Sequence, residues 1–205
     1  MVKLSDTQRG KIEKELLGRK CSNSSLDKII SGFEELLKIT GRGIDGGTQE
    51  SPYRMFKAYL ELTKGYAENP DIHLTKMFDV DCKDVVIIKD IEFNSLCEHH
   101  AMPFFGKVHI AYIPNGKVVG LSKFARLVEG YANRLQVQER LNQQLINAIQ
   151  DTLNPEGVMV VIEAEHTCMT LRGIKNKGAL TTTMATRGLY SVDENKRNEI
   201  LRLIK

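Results

Sequence analysis

The chain has 205 residues, of which 41% are hydrophobic and 27% are charged, and its formal net charge is +3. This is the composition of an ordinary globular protein, and so small a net charge gives no reason to expect nucleic-acid binding. The sequence has no apolar run of eighteen residues, no apolar leader, and only four irregularly spaced cysteines. It therefore predicts no membrane contact and no secreted disulfide scaffold, and we expect a cytoplasmic location.

The N-terminal third of the chain is predicted to be helical. Apolar residues recur with nearly helical spacing over residues 26–37, and Ser51-Pro52 begins a further helix with proline in its first turn. The glycines of residues 41–47 satisfy G-x-G-x-x-G, but they follow a helix and not a strand, so they do not indicate a dinucleotide-binding fold. Arg54 and Lys57 form a basic pair on one helix face, which a solvated surface explains by itself.

From about residue 75 the apolar pattern changes to the alternation of strands. Strands are predicted over residues 80–93 and 106–113, and the turn at Pro114-Asn115-Gly116 predicts a hairpin with residues 117–120. The exposed face of the second strand is predicted to consist of Lys107, His109 and Ala111.

Two helices and two further strands complete the pattern. Ser122 is predicted to be the N-cap of the first helix, and the second begins near Val137. An apolar strand starting at Val158 and a threonine-rich strand over residues 179–185 follow. The order ββααββ predicts an α+β fold with antiparallel strand pairs flanking two helices. We divide the chain into an N-terminal helical extension (1–74), a main domain (75–190) and a C-terminal helix or tail (191–205).

The tetrapeptide Cys97-Glu98-His99-His100 offers several metal ligands in a predicted turn or short helical segment between strands. Cys97 and His100, three residues apart, can point the same way. A catalytic zinc needs three protein ligands and keeps one position open for water. Strand alternation would put His166 and Cys168 on one face, roughly 7 Å apart. Cys97, His100 and Cys168 could therefore form a Cys₂His site, which leaves His99 and His166 as free imidazoles suited to proton transfer.

Other interpretations of these residues remain open on spacing alone. The tetrapeptide could be an exposed polar loop, Cys97 and Cys168 could form a disulfide, and His166 could be a hydrogen-bonded core histidine. The combination of all five residues favours a catalytic metal site.

A second group of residues has the chemistry of an anion site. Lys123 and Arg126 lie in the first turn of a predicted helix, where cations oppose the helix dipole unless a polyanion binds there. Arg172 can bring a guanidinium to the same neighbourhood. The carboxylate of Glu139 fits the N–H groups of a guanine edge, although spacing alone favours the ordinary role of a first-turn acid at a helix start.

Together these segments resemble the type I GTP cyclohydrolase family. The matching stretches are CEHH (97–100), GKVHIAYIPNGKVVGLSKFAR (106–126), RLQVQERL (134–141) and EAEHTCMTLRG (163–173). The resemblance implies the tunnelling fold (ββααββ) for the main domain, and a homodecamer of two stacked pentamers with active sites between subunits.

The resemblance also implies a role for each candidate residue. It implies Zn²⁺ on Cys97, His100 and Cys168; proton transfer by His99 and His166; guanine binding by Glu139 and Gln138; and triphosphate binding by Ser122, Lys123, Arg126 and Arg172. Arg54 and Lys57 resemble a phosphate-binding pair contributed across a subunit interface.

The implied reaction converts GTP and water into 7,8-dihydroneopterin triphosphate and formate, the first step of tetrahydrofolate and pterin biosynthesis. One rival hypothesis is a non-catalytic nucleotide-binding protein of the same fold, which would hold zinc in a closed four-ligand site. The other is a related cyclohydrolase that uses iron or stops at a different product.

Overall fold

The computed structural model describes residues 4–204, so residues 1–3 and 205 of the predicted terminal segments lie outside the described residues. It contains two compact units, the first ending at Ala67 and the second beginning at Glu68. The predicted segment boundaries after residues 74 and 190 stay predictions. No helix within residues 4–204 has the length and apolar character needed to cross a membrane.

The first unit is helical, as its sequence pattern predicts. Its helices are α1 (Asp6–Glu15), α2 (Asn23–Ile39) and α3 (Ser51–Leu62), followed by a 3-10 turn over Lys64–Ala67. The side chain of Ser22 caps α2 by accepting a hydrogen bond from the Ser25 N–H. The Arg19 guanidinium donates to the carbonyls of Glu15 and Leu60, so one side chain satisfies orphan acceptors at the ends of α1 and α3.

The second unit combines a sheet with helices, which confirms the predicted α+β class. Its elements are a 3-10 turn (Pro70–Leu74), β1 (Met77–Asp79), β2 (Val86–Cys97), β3 (Pro103–Ile113), β4 (Lys117–Val119), α4 (Ser122–Ala132), β5 (Leu135–Gln136), α5 (Gln138–Leu153), β6 (Gly157–His166), α6 (Thr167–Thr170), β7 (Leu180–Gly188), α7 (Leu189–Val192) and α8 (Glu194–Ile204). The main sheet has the order β5-β2-β3-β6-β7, in which only the β2–β5 pair is parallel.

The central strands of this sheet are covered on both faces. Alternate residues such as Val108 and Ile110 pack with α4 and α5 in the main core. The residues between them, including Ala111, pack with Tyr190 of α7 and Ile200 of α8. The C-terminal helix is therefore part of the core and not a loose tail. A continuous burial of this kind is typical of a strand enclosed between two layers.

This burial corrects the prediction of an exposed face on β3. Lys107 is exposed as predicted, but His109 is only 2% exposed and Ala111 is fully buried. The alternation in the sequence correctly indicated that β3 has two faces. It wrongly indicated that one of them is exposed to solvent, because the C-terminal helices cover it.

Two local predictions in the same region are also wrong. Strand β4 pairs antiparallel with β1 and not with β3, so Pro114-Asn115-Gly116 turns the chain but does not close a hairpin within the main sheet. Ser122 is the first residue of α4 and not its N-cap. The N-cap position is occupied by Leu121, whose side chain makes no capping hydrogen bond. A turn motif determines only the local direction of the chain, and tertiary packing determines which strand the following segment pairs with. In the same way, a favoured capping residue caps a helix only where packing places it at the N-cap position.

Candidate metal and nucleotide site

A tight turn between β2 and β3 presents the Cys-Glu-His-His segment. The carbonyl of Cys97 accepts hydrogen bonds from the N–H groups of His100 (3.3 Å) and Ala101 (2.8 Å), and the Cys97 N–H donates to the Met102 carbonyl (2.8 Å). Ala101 adopts a positive φ of 51°, which a non-glycine residue takes only where the surrounding structure requires it. The turn thus confirms the local geometry expected from the sequence, with Cys97 at the end of a strand and His100 one turn beyond it.

Cys168 reaches this turn from the far end of β6, but not in the way that strand alternation predicted. Strand β6 ends at His166, and Cys168 lies in the short helix α6. The hydroxyl of Thr167 donates to the Pro103 carbonyl over 2.6 Å and fastens the start of α6 to the first residue of β3. The pairing of β3 with β6 therefore brings Cys168 beside Cys97 through the helix that follows the strand.

The side chains of Cys97, His100 and Cys168 form a group that could hold a metal ion. One ligand atom from each lies within 4.8 Å of the other two. Tetrahedral zinc with two sulfurs and a ring nitrogen needs ligand atoms about 3.6 Å apart. The Sγ of Cys97 and the Nδ1 of His100 are 3.8 Å apart, which fits this requirement closely. Both cysteines are free thiols, so the structure does not contain the disulfide that the sequence had left open.

The electrostatics of the Cys168 thiol also suit a cation. Burial raises the pKa of the Cys168 thiol, the nearby Cys97 raises it further, and the charge of Arg172 opposes them. A positive partner would favour the Cys168 thiolate against these effects. A divalent metal supplies that partner, and the soft donor set of two sulfurs and an imidazole is one that zinc and iron both accept.

His99 and His166, the two imidazoles outside this group, lie beside it. The Nδ1 of His99 is 3.7 Å from the Cys97 Sγ, and the His99 ring is exposed. The His166 ring stacks on Phe104, with centroids 4.6 Å apart and an interplanar angle of 5°. Burial lowers the pKa of His166, and the charge of Glu139 partly opposes this. His166 and Glu139 are therefore close enough to influence each other.

Gln138 and Glu139 begin helix α5 and differ sharply in environment. Glu139 is exposed, whereas Gln138 is only 1% exposed. The amide oxygen of Gln138 is 2.9 Å from the Nε2 of His166, and its nitrogen donates to protein carbonyls. The exposure of Glu139 leaves its carboxylate accessible to a ligand, while the predicted contact of Gln138 with guanine stays a prediction.

An ion pair that the sequence did not predict connects the metal-binding turn to α5. The guanidinium of Arg140 donates to both carboxylate oxygens of Glu98, over 2.6 and 3.0 Å, and lowers the pKa of that carboxyl. The Glu98 N–H also donates to the Gln136 carbonyl. Glu98 and Arg140 are 42 positions apart, so no spacing rule could have paired them. The only signal was their opposite charge beside two predicted site segments.

The predicted triphosphate residues lie in two places of the second unit. Ser122, Lys123 and Arg126 lie in the first turns of α4, where Ser122 and Arg126 are exposed. Arg126 also lines a cleft of about 310 Å³ that includes two acidic residues, Glu92 and Glu129. Arg172 follows α6, where its charge acts on Cys168. The charge of this guanidinium therefore acts on one of the three candidate metal ligands.

Arg54 and Lys57 belong to α3 of the first unit. Arg54 is exposed and pairs with Glu50 over 2.6 Å, and Lys57 pairs with Glu15 over 3.5 Å. Surface ion pairs of this kind are worth little and break easily, so both side chains could turn to a phosphate. Their predicted phosphate role stays a prediction.

Comparison with known proteins gives a consistent answer over most of the chain. A family model described as GTP cyclohydrolase I matches residues 29–205. A protein named GTP cyclohydrolase 1 from Clostridium kluyveri is 55% identical over 180 residues, which are 87% of this chain and 97% of that protein. Proteins of the same name from Clostridium perfringens and Chlorobium chlorochromatii are 48% and 51% identical, each over 87% of this chain and over 97% and 81% of their own length. Among solved structures, the apo form of archaeosine synthase QueF-Like matches 51% of this chain and 93% of its own at 23% identity, with a TM-score of 0.43.

Proposed function

Because this chain belongs to the GTP cyclohydrolase I family, we infer that it is an enzyme that converts GTP and water into 7,8-dihydroneopterin triphosphate and formate. The observation that carries this inference is the convergence of Cys97, His100 and Cys168, from segments 71 positions apart, on one small volume. An exposed polar loop would have no reason to meet the partly exposed thiol of Cys168 from helix α6. His99 lies beside that volume, with its Nδ1 3.7 Å from the Cys97 Sγ.

We propose that the bound metal is zinc, held by Cys97, His100 and Cys168. The atom spacing and the two-sulfur, one-nitrogen donor set support this assignment. Zinc in such a three-ligand site lowers the pKa of water and so makes a nucleophile available near neutral pH. A catalytic zinc site keeps its fourth coordination position open for water, whereas a structural site fills it with a protein ligand. Within the described residues, the candidate ligand group consists of three side chains and includes neither His99 nor His166, which supports an open position and speaks against the closed site of the non-catalytic rival.

The nucleotide would be held by its base and its triphosphate at opposite ends. The exposed carboxylate of Glu139 can accept hydrogen bonds from the ring N–H and the amine of guanine, which adenine does not offer in the same arrangement. The triphosphate would bind four side chains, Ser122, Lys123, Arg126 and Arg172, with Arg54 and Lys57 as a further basic pair. Fixing both ends places C8 of the guanine ring at the metal site, so binding energy is used for orientation.

The two histidines have the chemistry to move protons during ring opening. Hydrolysis at C8 breaks two carbon–nitrogen bonds, and each nitrogen must gain a proton as formate leaves. An imidazole can give and take protons near neutral pH, and burial lowers the pKa of His166, which favours the neutral form that accepts a proton. We assign proton transfer to His166, which is fixed by its contacts, and to His99, which is exposed and free to approach the substrate.

We further propose that the second unit has the tunnelling fold and that chains assemble into a decamer of two pentamers. The order β2-β3-α4-α5-β6-β7 supports the fold. Strand β7 lies at one edge of the main sheet, and an edge strand offers backbone groups to a neighbouring chain. Three exposed apolar side chains in the segment that follows Cys168, Leu171, Ile174 and Leu180, support an intersubunit contact there.

The direct test is incubation of the purified, zinc-loaded protein with GTP. We expect pterin fluorescence to appear together with one formate per GTP consumed, and we expect no turnover of ATP. Purification with and without oxygen, followed by metal analysis, distinguishes zinc from the iron of the rival enzyme. Binding of GTP without release of formate would instead favour the non-catalytic rival.

A further inference from the structure

The orientation of the Gln138 amide is determined by its surroundings. Its nitrogen donates to the backbone carbonyls of Ile162 (3.0 Å) and Thr181 (2.9 Å) and approaches the hydroxyl of Thr183 (3.2 Å). Backbone carbonyls can only accept hydrogen bonds, so the amide nitrogen must face them and the oxygen must face the other way. The usual ambiguity between the nitrogen and oxygen of a glutamine side chain is therefore resolved here by chemistry.

The amide oxygen of Gln138 in turn determines which nitrogen of His166 carries hydrogen. That oxygen is 2.9 Å from the Nε2 of His166 and can only accept, so Nε2 must be the donor. A neutral imidazole carries one ring hydrogen. With that hydrogen on Nε2, the lone pair of the ring is on Nδ1.

The plane of the His166 ring is fixed independently by Phe104. The two residues face each other in the β3–β6 register, and their rings stack at 4.6 Å with an angle of 5°. Phe104 is fully buried, so it provides a rigid surface. Stacking sets the ring plane, and the hydrogen bond to Gln138 sets the rotation within that plane.

We propose that Gln138 is a positioning residue that holds His166 in its Nε2–H tautomer and thereby makes Nδ1 the atom that exchanges protons with the substrate. This inference rests on the proposed function, in which His166 transfers protons. It gives Gln138 a different role from the guanine contact implied by resemblance. Adjacent residues at the start of α5 then have separate tasks, because Glu139 is exposed towards a ligand and Gln138 is buried against the histidine.

The first test needs no variant. The zinc-loaded protein is labelled with ¹⁵N-histidine, and two-bond proton–nitrogen correlation identifies the protonated ring nitrogen of each histidine. The His166 signals are assigned by their loss in His166→Ala. We expect His166 to be protonated at Nε2 alone, and a ring protonated at Nδ1, or exchanging between both forms, would overturn the proposal.

The second test separates positioning from guanine binding and from simple packing. Gln138→Met removes the acceptor. Gln138→Glu, in its protonated form, keeps both an acceptor for Nε2–H and one donor for the backbone carbonyls. Asn142→Ala is the matched control. Asn142 is a buried amide one turn along α5 that also donates to Thr183 and has no hydrogen bond to His166. All three variants lose a buried amide, so all are expected to lose some stability.

Only the Gln138 variants should alter the chemistry. For Gln138→Met we expect kcat to fall about 100-fold with KM for GTP changed less than about 3-fold, and Gln138→Glu should recover at least about 10-fold of that loss. Asn142→Ala should retain kcat within about 3-fold. A raised KM with kcat unchanged in the Gln138 variants would show that Gln138 binds guanine. An equal loss of kcat in Asn142→Ala would show that the effect of Gln138 arises from packing alone. If the parent protein forms no pterin, the proposed function fails, while the tautomer measurement still decides the geometry of Gln138 and His166.

Discussion

Cys168 is the residue whose replacement most sharply distinguishes a metal site from an incidental cluster. Cys168→Ser exchanges a soft thiolate for a hydroxyl that zinc binds poorly, and it leaves the size of the side chain nearly unchanged. Loss of a residue that hydrogen-bonds to a metal ligand lowers metal affinity roughly 10–100-fold. Because Cys168 is itself a proposed ligand, we expect zinc affinity to fall by more than this, and turnover to fall in parallel. Metal analysis after dialysis and a formate assay measure the two effects.

The matched control for that replacement is Cys82→Ser. Cys82 is also a partly exposed free thiol of the second unit, and it is not part of the metal-binding group. Its variant should keep full zinc content and turnover. A Cys168→Ser protein that works normally without zinc would remove Cys168 from the site.

His109 gives a prediction about pH. It lies 2% exposed in the sheet, its Nδ1 accepts from the Asp90 N–H, and its Nε2 has no hydrogen-bond partner. Burial lowers its pKa from 6.5, while the carboxylates of Asp90 and Glu163 oppose that shift and Lys89 and Lys107 support it. The folded state therefore binds fewer protons than the unfolded state once the pH falls below 6.5.

The lowered pKa of His109 in the folded state therefore reduces the free energy of unfolding as the pH falls. The free energy of unfolding should decrease as the pH falls below about 6.5, and the decrease should stop below the lowered pKa of the folded state. Denaturant unfolding of the parent chain and of His109→Gln between pH 7 and pH 5 measures this. The variant should lose less stability over that interval, and equal slopes would contradict a buried neutral His109.

At the scale of single residues, the sequence predicted which side chains belong to the candidate site. It was less successful in predicting the geometry that brings them together. Cys97, His100 and Cys168 were predicted together, because Cys97 and His100 are three residues apart and an apolar strand leads to Cys168 as a third ligand. Cys168 was nonetheless assigned to a strand, since alternation continues past His166 in the sequence and gives no sign that helix α6 begins at Thr167. The pairing of Glu98 with Arg140 could not be predicted from spacing, because it depends on how β2 and α5 pack.

At the scale of elements, the close approach of β3 and β6 depends on Gly106. A Cβ at this position would lie 1.9 Å from the Glu163 carbonyl oxygen and 2.7 Å from the Ala164 Cα, both of them backbone atoms. Gly106→Ala should therefore lower the free energy of unfolding by about 3 kcal/mol, the upper part of the range for overpacking. Because this strand pair also brings α6 to the metal-binding turn, zinc affinity should fall as well.

Gly120→Ala is the control for that element. It lies in the same unit, and a Cβ there would meet no atom closer than 4.0 Å. We expect its free energy of unfolding to stay within about 0.5 kcal/mol of the parent value, as for most surface changes. Equal unfolding curves for Gly106→Ala and the parent would show that the strands can separate without cost.

Element types were largely predictable, and element partners were not. The helices and the order of the long strands follow from apolar periodicity and from Pro52 and Gly residues at the breaks. The pairing of β4 with β1, and the cover of β3 by α7 and α8, arise from contacts distant in sequence. Alternation shows that a strand has two faces, but not what covers each face.

At the scale of the whole molecule, we expect the chains to assemble. Light scattering coupled to size exclusion should give the mass of ten chains at neutral pH. Replacing Ile174, which is 81% exposed, by Asp puts a charge into the expected contact and should reduce both the mass and the turnover per chain. Lys175→Asp is the control for charge at the adjacent exposed position. A parent protein that is monomeric and fully active would refute intersubunit active sites.

The most direct test of the central claim is X-ray absorption at the zinc edge of the loaded protein. We expect two sulfurs at about 2.3 Å, one imidazole nitrogen at about 2.0–2.1 Å and one further light atom that exchanges with solvent. A shell with fewer than two sulfurs, or with a second imidazole closing the site, would contradict it.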